Sequence, residues 1–397
     1  MKSKLFIFSL ILIVFVFLHW IQCDHREYKI IPLTHGWEKP LPHQDIPVGL
    51  TSLSAEACGV CHIEHFKEWA LSTHALAWKD LQFQAEIKKE SSPYLCINCH
   101  TPLQNQQEYL VEGLINGDIY KPLKKKNPDF DKTLQQEGIT CAGCHVRNQV
   151  IIGPTGTTKA PHKTIKDTAF LSEQLCISCH NASAIINPTL VCTFETGDEW
   201  RAGPYFGKKN CIQCHMETTE REIAPGYGIR KSHAHFFPGS GIPKFDTLET
   251  RMLNGLGIYP KEPKKMYALM DTLIFTIKVK NEFAGHRLPT GDPERFFNID
   301  FALKNAAGHI RSSKTERIGE QWLWYPEAKK LSDNNLMPGE ERSFTFSYPL
   351  VLKEHLTLIV KITKHRLNQE SATYNKITDR YPLFITIFEK EYSMTVK

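Results

Sequence analysis

The chain has 397 residues, of which 41% are hydrophobic and 23% charged, and its formal net charge is +5. This length allows two domains, and the balanced composition excludes a disordered chain and a membrane protein with several spans. Ten of the twelve cysteines lie in one repeated motif, Cys-x-x-Cys-His.

Residues 1–22 are predicted to be a targeting segment, because two lysines precede an apolar run over residues 5–18. This pattern predicts export to the periplasm or cell envelope. Cys23 stands where a bacterial lipoprotein is cleaved and acylated, although Gln22 is not the small residue usual at that place. A lipid anchor at Cys23, a retained membrane helix and a removed signal peptide are therefore all open alternatives.

Residues 23–50 are rich in proline and weakly periodic, which predicts an extended lead-in on the surface. Residues 51–265 contain all five copies of the motif. One copy would arise by chance in roughly one of sixty sequences of this composition, so five copies are not accidental.

Each motif has the residues that covalent haem attachment requires. Two thiols separated by two residues can reach the two vinyl groups of one porphyrin, and the next imidazole then lies under the iron as the proximal ligand. The predicted attachment residues are Cys58, Cys61, Cys96, Cys99, Cys141, Cys144, Cys176, Cys179, Cys211 and Cys214. The predicted proximal ligands are His62, His100, His145, His180 and His215.

Zinc sites and disulfides also use paired cysteines. A structural zinc site takes four ligands, usually as two pairs, so five pairs leave one over and the histidine after each pair is unexplained. A disulfide framework is typical of short secreted domains, whereas this chain is long and its pairs are regular. The motifs therefore predict five c-type haems with their irons.

The segments between successive motifs are too short for each haem to have its own protein core. The porphyrins should therefore provide much of the buried surface, inside short helices and long loops. We predict a helix over residues 54–78, capped by Ser54, and a solvated loop over residues 121–132. Residues 51–265 are thus predicted to be a mostly helical, loop-rich multihaem domain.

After about Met266 the hydrophobic period changes to two. Residues 273–279, 297–303, 344–348 and 356–362 alternate apolar and polar side chains, and glycine, proline or asparagine separates them. This pattern predicts a small antiparallel β-sandwich over residues 266–397, which contains no cysteine for haem attachment. The predicted fold class is α+β.

The haem domain resembles bacterial multihaem cytochromes c similar to the tetrahaem carrier that accepts electrons from hydroxylamine oxidoreductase. Besides the motifs, the matching residues are Trp69, Ser72, His74, Ala160, Pro161, His162, Cys192, Thr193, Glu199, Trp200 and Met216. The resemblance covers about half of the chain, which departs from the family in having five motifs and an added β domain. It implies irons with two histidine ligands and nominates His74 and His162 as distal ligands.

Three further histidines are candidate distal ligands. His233 and His235 are two residues apart, so in an extended segment both point the same way, and the aromatic residues after His235 favour it. His286 follows Gly285 in a predicted turn, and a similar tail occurs in some multihaem cytochromes. His74 lies twelve residues after His62 and should serve a haem other than that of His62.

The remaining candidates are predicted to have no role in ligation. The histidines in this group are His65, His309, His355 and His365. Met216 is predicted to pack against its surroundings, because it cannot reach the opposite face of its own haem. Cys192 is predicted to be a buried thiol, with a redox or disulfide role as the open alternative.

These features predict an electron carrier between a donor and an acceptor protein outside the cytoplasm. The alternative is an oxidoreductase acting on a small nitrogen or sulfur compound at one open iron, although the Cys-x-x-Cys-Lys motif of pentahaem nitrite reductases is missing.

The charge of the holoprotein differs from that of the bare chain. Five ferric haems at about −1 each would make the mature protein slightly acidic, so nucleic acid is not an expected partner.

The purified protein should exceed the mass of its processed polypeptide by five haems, because each motif can form two thioether bonds. Intact mass spectrometry before and after acid-acetone extraction checks this. A mass increase equivalent to four haems, or haem that acid-acetone removes, would contradict the prediction.

Overall fold

The computed structural model describes residues 28–34, 38–89, 93–157, 159–249, 251–377 and 380–397. The predicted targeting segment and Cys23 lie outside these ranges. Within them, no helix has the length and apolar character needed to cross a membrane.

The helices of the motif-containing half are four to eight residues long and are separated by turns and hairpins. They are Ala55–Gly59 (α1), Ile63–Ala70 (α2), Leu81–Ile87 (α3), Tyr94–His100 (α4), Lys132–Gln135 (α5), Cys141–His145 (α6), Glu173–His180 (α7), Thr196–Arg201 (α8) and Cys211–His215 (α9). The four later motifs each end a helix at their histidine, so both cysteines of those motifs lie on helical backbone.

The predicted helix over residues 54–78 is instead two helices. Ser54 caps α1 as expected, since its hydroxyl accepts a hydrogen bond from the Ala57 N–H at 3.1 Å. The chain turns after Gly59 so closely that a Cβ there would lie 2.6 Å from the Phe66 ring. Continuous helical spacing therefore ends inside the first motif, and α2 starts just after it.

Strands occupy much of what was predicted to be loop in this half. They are Ile30–Ile31 (β1), Tyr109–Ile115 (β2), Pro122–Lys126 (β3), Val146–Arg147 (β4), Val150–Gly153 (β5), Thr164–Lys166 (β6), Ala182–Asn187 (β7), Leu190–Phe194 (β8), Thr218–Glu222 (β9) and Ile229–His233 (β10). They form four small sheets, ordered β1-β2-β3, β4-β5-β6, β7-β8 and β10-β9.

The prediction of a mostly helical domain was wrong, because the chain is 35% strand and 18% helix. Tight turns explain the difference. Asn148 and Gln149 both have positive φ and form the whole connection between β4 and β5. A two-residue turn of this kind reverses the chain with the twist that a hairpin needs. Asn116 and Gly117, also with positive φ, begin the six-residue connection between β2 and β3. The lysine-rich segment predicted as a solvated loop contains β3, whose lysines are exposed.

The C-terminal half is a β-sandwich, as the alternating pattern predicted. Its elements are Leu256–Pro260 (β11), Met266–Tyr267 (β12), Thr272–Asn281 (β13), Phe296–Asn305 (β14), Ile310–Gly319 (β15), Gln321–Leu323 (β16), Lys329–Ser332 (β17), Glu341–Pro349 (β18), His355–His365 (β19), Gln369–Tyr374 (α10) and Phe384–Val396 (β20). One sheet has the order β11-β13-β18 and the other the order β12-β20-β19-β14-β15. Because β11 pairs with β13, the first sheet begins about ten residues before the predicted domain start.

The two halves differ in how they are packed. The sandwich encloses one cluster of buried apolar residues that includes Leu273, Phe275, Phe301 and Val360, each at most 1% exposed. The described part of the motif-containing half has only small clusters, such as Leu53, Leu103, Leu134, Ala142 and Val146. Its interior is instead a large cavity, and the motifs surround it.

Candidate haem-binding site

The cavity has a volume of about 3050 Å³ and is lined by all ten motif cysteines and all five motif histidines. Pockets for one small molecule have volumes of about 300–1,000 Å³. This cavity therefore has room for several large cofactors, and its lining carries the thiols and imidazoles that c-type haems require. These residues fit the cofactor that the motifs imply.

Four motif histidines are oriented by a hydrogen bond between Nδ1 and a backbone carbonyl oxygen. The acceptors are Ile223 for His62 (2.7 Å), Ala77 for His100 (2.9 Å), Ile152 for His145 (2.8 Å) and Pro238 for His215 (2.7 Å). A bond at Nδ1 fixes the tautomer and leaves Nε2 as the metal-binding nitrogen. The backbone thus holds these rings in the form that ligates iron.

Four motif histidines face a second histidine at nearly the same distance. The ring centroids are 6.4 Å apart for His62 and His162, 6.3 Å for His180 and His74, 6.2 Å for His145 and His235, and 6.3 Å for His215 and His286. An ion bound at about 2 Å from a nitrogen of each ring would hold two imidazole centroids roughly 6 Å apart. Each pair therefore has the spacing that one iron between two imidazoles needs.

His100 differs from the other four motif histidines. Its ring stacks on Phe83 of α3, with centroids 3.7 Å apart and an interplanar angle of 5°. Among the described residues, no histidine ring faces His100 at the spacing of the four pairs. Burial lowers the pKa of His100 to about 4, against the raising effect of its hydrogen bond to Ala77. The ring is therefore neutral at physiological pH, as iron ligation requires.

His235 is positioned by a buried ion pair. Arg221 on β9 donates two hydrogen bonds to the Glu68 carboxylate, at 2.6 and 2.8 Å. The backbone N–H of His235 also donates to Glu68, at 2.8 Å, and Arg221 donates to the carbonyl of His233 at 3.3 Å. The side chains of Glu68 and Arg221 are 9% and 17% exposed, so this network lies inside the protein.

His233 lies beside this network but does not face a motif histidine among the described residues. Its Nδ1 is hydrogen-bonded to the carbonyl of Met216 at 2.8 Å. Met216 is half-buried next to the fifth motif. The structure thus brings one member of the predicted pair, His235, to a motif histidine and leaves the other to the side.

The His286 loop of the β domain is docked onto α8. The Glu199 carboxylate accepts hydrogen bonds from the Arg287 N–H at 3.1 Å and from the Thr290 hydroxyl at 2.6 Å. Gly203 and Gly285 approach so closely that a Cβ on Gly203 would lie 2.3 Å from the Gly285 carbonyl oxygen. These contacts explain why a glycine precedes His286 and how the β domain reaches the cavity.

The other predicted non-ligands have different surroundings. His65 uses Nε2 to contact the Ser232 hydroxyl at 2.8 Å, and His365 uses Nε2 to contact the Thr363 hydroxyl at 2.8 Å. Neither ring therefore presents a free Nε2. His309 is exposed. Cys192 is half-buried on β8, and burial, together with Cys96 and Asp292, raises its thiol pKa to about 12.

The motifs touch one another in a defined order. The thiol of Cys58 lies close enough to that of Cys141 for each to change the pKa of the other, and the same holds for Cys99 with Cys179 and for Cys176 with Cys211. Cys144 also acts electrostatically on Cys176. The fourth motif is therefore next to the second, third and fifth, while the first is next to the third.

Comparison with known proteins gives one partial sequence match and one extensive structural match. Residues 57–115 match the family model for cytochrome c554 and c-prime. The crystal structure of a pentahaem cytochrome c552 from Thermochromatium tepidum aligns with 88% of this chain and 100% of its own, at 16% identity and a TM-score of 0.63.

The chain has the fold of a pentahaem cytochrome c. The predicted resemblance to multihaem cytochromes c is confirmed at that level, whereas similarity to the tetrahaem carrier in particular stays a prediction. No curated protein sequence matches the chain.

Other solved structures align with smaller parts of the chain. The CARDB domain of the PF1109 protein from Pyrococcus furiosus aligns with 36% of this chain and 87% of its own, at 12% identity and a TM-score of 0.20. The C-terminal domain of wzt aligns with 36% and 75%, at 14% identity and a TM-score of 0.19. Scores this low support no inference.

Glu68→Gln should destabilise the protein strongly, by about 3–5 kcal/mol, because it leaves the Arg221 guanidinium without its buried counter-charge. Chemical unfolding at neutral pH measures the loss. Glu64→Gln is a matched control on the same helix, since its ion pair with Lys67 is exposed and should be worth less than about 1 kcal/mol.

The pH dependence gives a second readout of the same pair. Burial opposes ionisation of Glu68, but its hydrogen bonds from Arg221 and His235 outweigh burial and lower its pKa. A lowered folded-state pKa means that the stabilisation is present above the unfolded pKa of about 4.3 and is lost as the pH falls below it. Wild type and Glu68→Gln should therefore converge in stability under acid, and a gap that does not narrow contradicts this role.

Proposed function

We propose that this chain is an extracytoplasmic electron-transfer protein that carries five c-type haems. The observation that supports this most directly is the cavity, in which ten motif cysteines and ten candidate histidines converge. When bound, each haem supplies an iron that takes up and releases one electron. The protein's part is to attach, ligate and bury these groups.

The histidine pairs supply the ligand assignment. We assign His162 as distal ligand to the His62 iron, His235 to the His145 iron, His74 to the His180 iron and His286 to the His215 iron. In His162, His235 and His286, Nδ1 contacts another group, at 3.0, 2.8 and 2.9 Å, which leaves Nε2 for iron. His233 is assigned no iron, because it faces no motif histidine in the described part of the chain.

Exposure of the motifs indicates where redox partner proteins would dock. Cys61 in the first motif and Cys214 in the fifth are exposed, whereas the other motif cysteines are half-buried. Val60, between the two cysteines of the first motif, is 74% exposed. The first motif is next to the third, the third to the fourth and the fourth to the fifth. Electrons could therefore pass through this series of haems between a donor bound at the first motif and an acceptor bound at the fifth, or in the reverse direction.

Export and anchoring belong to the same proposal. Covalent attachment to Cys-x-x-Cys-His takes place outside the cytoplasm in bacteria, which agrees with the charged and apolar pattern of residues 1–22. We propose that the mature chain lies in the periplasm or cell envelope and is lipid-anchored at Cys23. Labelling with a fatty-acid analogue, with Cys23→Ser as control, tests the anchor.

Catalysis at one open iron is the second candidate function. The specific observation is His100, which is the motif histidine without a facing histidine ring among the described residues. An iron with one free coordination position could bind a small nitrogen or sulfur compound, and the other four motifs would connect it to the surface. The carrier and oxidoreductase functions therefore require the same site and differ only in whether the iron of the second motif has a free coordination position.

His286→Ala should convert one low-spin haem to high-spin without loss of haem, because the thioether bonds remain. Electron paramagnetic resonance of the oxidised protein measures the change. His233→Ala is a matched control, since His233 also lines the cavity but faces no motif histidine. A wild-type spectrum for His286→Ala, or a new high-spin signal for His233→Ala, would show that the assignment is wrong.

Nitric oxide and cyanide should bind to one haem of five, the one attached at Cys96 and Cys99. The reason is that only His100 lacks a facing imidazole in the described structure. Optical titration gives the number of reactive irons, and electron paramagnetic resonance gives their spin states before and after addition. If all five irons are low-spin and inert to both ligands, the oxidoreductase alternative should be abandoned.

A further inference from the structure

Four basic side chains lie together where the β domain meets the cavity. They are Lys244, Arg295, Lys364 and Arg366, and all four line the cavity. Lys364 and Arg366 are only 8% and 6% exposed, although charged side chains are seldom buried without a counter-charge. None of them was singled out from the sequence, since they are spread over three segments between residues 244 and 366.

The four positive charges act on one another. Burial, followed by Arg366 and Arg295, lowers the pKa of Lys244 well below its ordinary value. Burial and then Arg295 lower the pKa of Lys364 to about 8. Like charges this close repel in a medium of low dielectric constant, so the cluster needs negative charge to be stable.

Two carboxylates supply part of that charge. Asp80 forms an ion pair with Lys244 and accepts a hydrogen bond from the Tyr381 hydroxyl at 2.5 Å. Asp292 acts on both Arg295 and Arg366 and raises their pKa against the larger opposing effect of burial. Two aspartates therefore face four cations.

The neighbouring acidic groups do not complete the balance. Burial, followed by Asp292, raises the pKa of Glu294 to about 7, so it is only partly ionised at neutral pH. Glu86 is already paired with Lys89 at 3.0 Å. The cluster consequently keeps an excess of positive charge beside the cavity.

Arg366 also has hydrogen-bonding capacity to spare. Its Nη2 donates to the carbonyl of Ile242 at 2.7 Å and more weakly to that of Pro243 at 3.3 Å, and its guanidinium lies 4.2 Å from the ring centroid of Tyr381. Its Nη1 is buried and has no hydrogen-bond partner among the described residues. A buried guanidinium donor is expected to have an acceptor, and carboxylates are the acceptors that suit it best.

We infer that Arg295, Lys364 and Arg366 bind a carboxylate-type anion, and that this anion is a propionate of the haem attached at Cys176 and Cys179. The inference rests on the proposed function, because it requires haem at the fourth motif. The choice of haem follows from Gly291, where a Cβ would lie 3.0 Å from the Arg295 guanidinium and 3.6 Å from the Phe194 ring. Phe194 is the strand partner of Ala182, two residues after His180, so Arg295 lies beside the fourth motif. A small free oxyanion has the same chemistry and is the competing source.

The binding site would give the β domain an electrostatic role in the haem domain. A nearby cation favours the reduced state of a haem, because reduction removes one positive charge from the iron. The three cations should therefore raise the reduction potential of the fourth haem. Removal of one of them should lower that potential and leave the spin state unchanged, since none of the three is an axial ligand.

Arg366→Gln tests this inference, because glutamine keeps a donor for the Ile242 carbonyl but has no charge. We expect one of the five midpoint potentials to fall by about 59 mV, which corresponds to a tenfold change in a one-electron equilibrium. Redox-difference infrared spectra should show a changed propionate carboxylate band. Arg366→Lys should restore most of the potential, and Lys364→Gln gives a second, independent loss of charge.

Arg311→Gln is the matched control, since Arg311 is a β-domain arginine that pairs with Glu354 at the opposite end of the sheet. Ser312, next to Arg311, pairs with Leu303, whereas Phe296 at the other end of β14 pairs with His365 beside the cluster. It should leave all five potentials and the infrared bands unchanged. Haem mass and complete reducibility are measured on every variant. Fewer than five reducible haems in the wild type would contradict the proposed function, whereas five reducible haems with unchanged potentials in the variants would contradict only this inference.

Two results would overturn the inference. The first is an unchanged set of potentials and propionate bands in both Arg366→Gln and Lys364→Gln with five haems present. The second is a saturable spectral response of the wild type to nitrite or sulfite that Arg366→Gln abolishes without any change in the propionate bands. That second result would assign the site to a diffusible oxyanion.

Discussion

The enclosure of planar haem cofactors by short helices and hairpins is the constraint on which the rest of this structure depends. The sandwich builds its interior from alternating strand residues such as Phe275 and Phe301, and it needs no cofactor to do so. The motif-containing half has helices of eight residues or fewer and only small apolar clusters in its described part. Its elements face a cavity instead of each other, so haem attachment and iron ligation take the place that side-chain packing has in an ordinary core.

Ligation under this constraint requires histidines from distant parts of the sequence to meet within about 6 Å. Hydrogen bonds to backbone carbonyl groups and to carboxylates hold these histidines in position. Carbonyl groups fix Nδ1 of four motif histidines. The Glu68–Arg221 pair fixes the segment after β10 at His235, and Glu199 fixes the loop that carries His286. Such supporting groups keep a metal ligand in one tautomer and one orientation. Four of the five motifs have this arrangement of two facing imidazoles, and the motif of His100 has an aromatic ring, Phe83, stacked on it instead.

The sequence predicted the parts of this arrangement that depend on local pattern. The attachment motifs are contiguous, and the sandwich strands have a period of two that survives in their burial, as in β13. Four of the predicted distal ligands, His74, His162, His235 and His286, do face a motif histidine, and their role as iron ligands stays a prediction. The hairpins of the motif-containing half were not predicted, although Asn116 and Gly117 are a strong turn signal, because their strands are short and do not alternate regularly between buried and exposed residues. Glu68, Arg221 and the four cations of the β-domain cluster could not be predicted, because their partners lie far away along the chain.

The β domain is connected to the cavity in two independent ways, and together they explain why it is part of the same chain. Its first long loop brings His286 to the fifth motif. The end of β19 and the turn before β14 bring Lys364, Arg366 and Arg295 to the cavity, where we propose that they serve the fourth motif. If the β domain were a separate protein, it would have to bind the haem domain to bring His286 and the three cations to the cavity, and this binding would cost the entropy of association. Covalent fusion makes that encounter intramolecular, so a weak interface is sufficient. On the proposed assignments, the sandwich contributes a ligand to the fifth motif and charge to the fourth, while its own interior is packed with side chains.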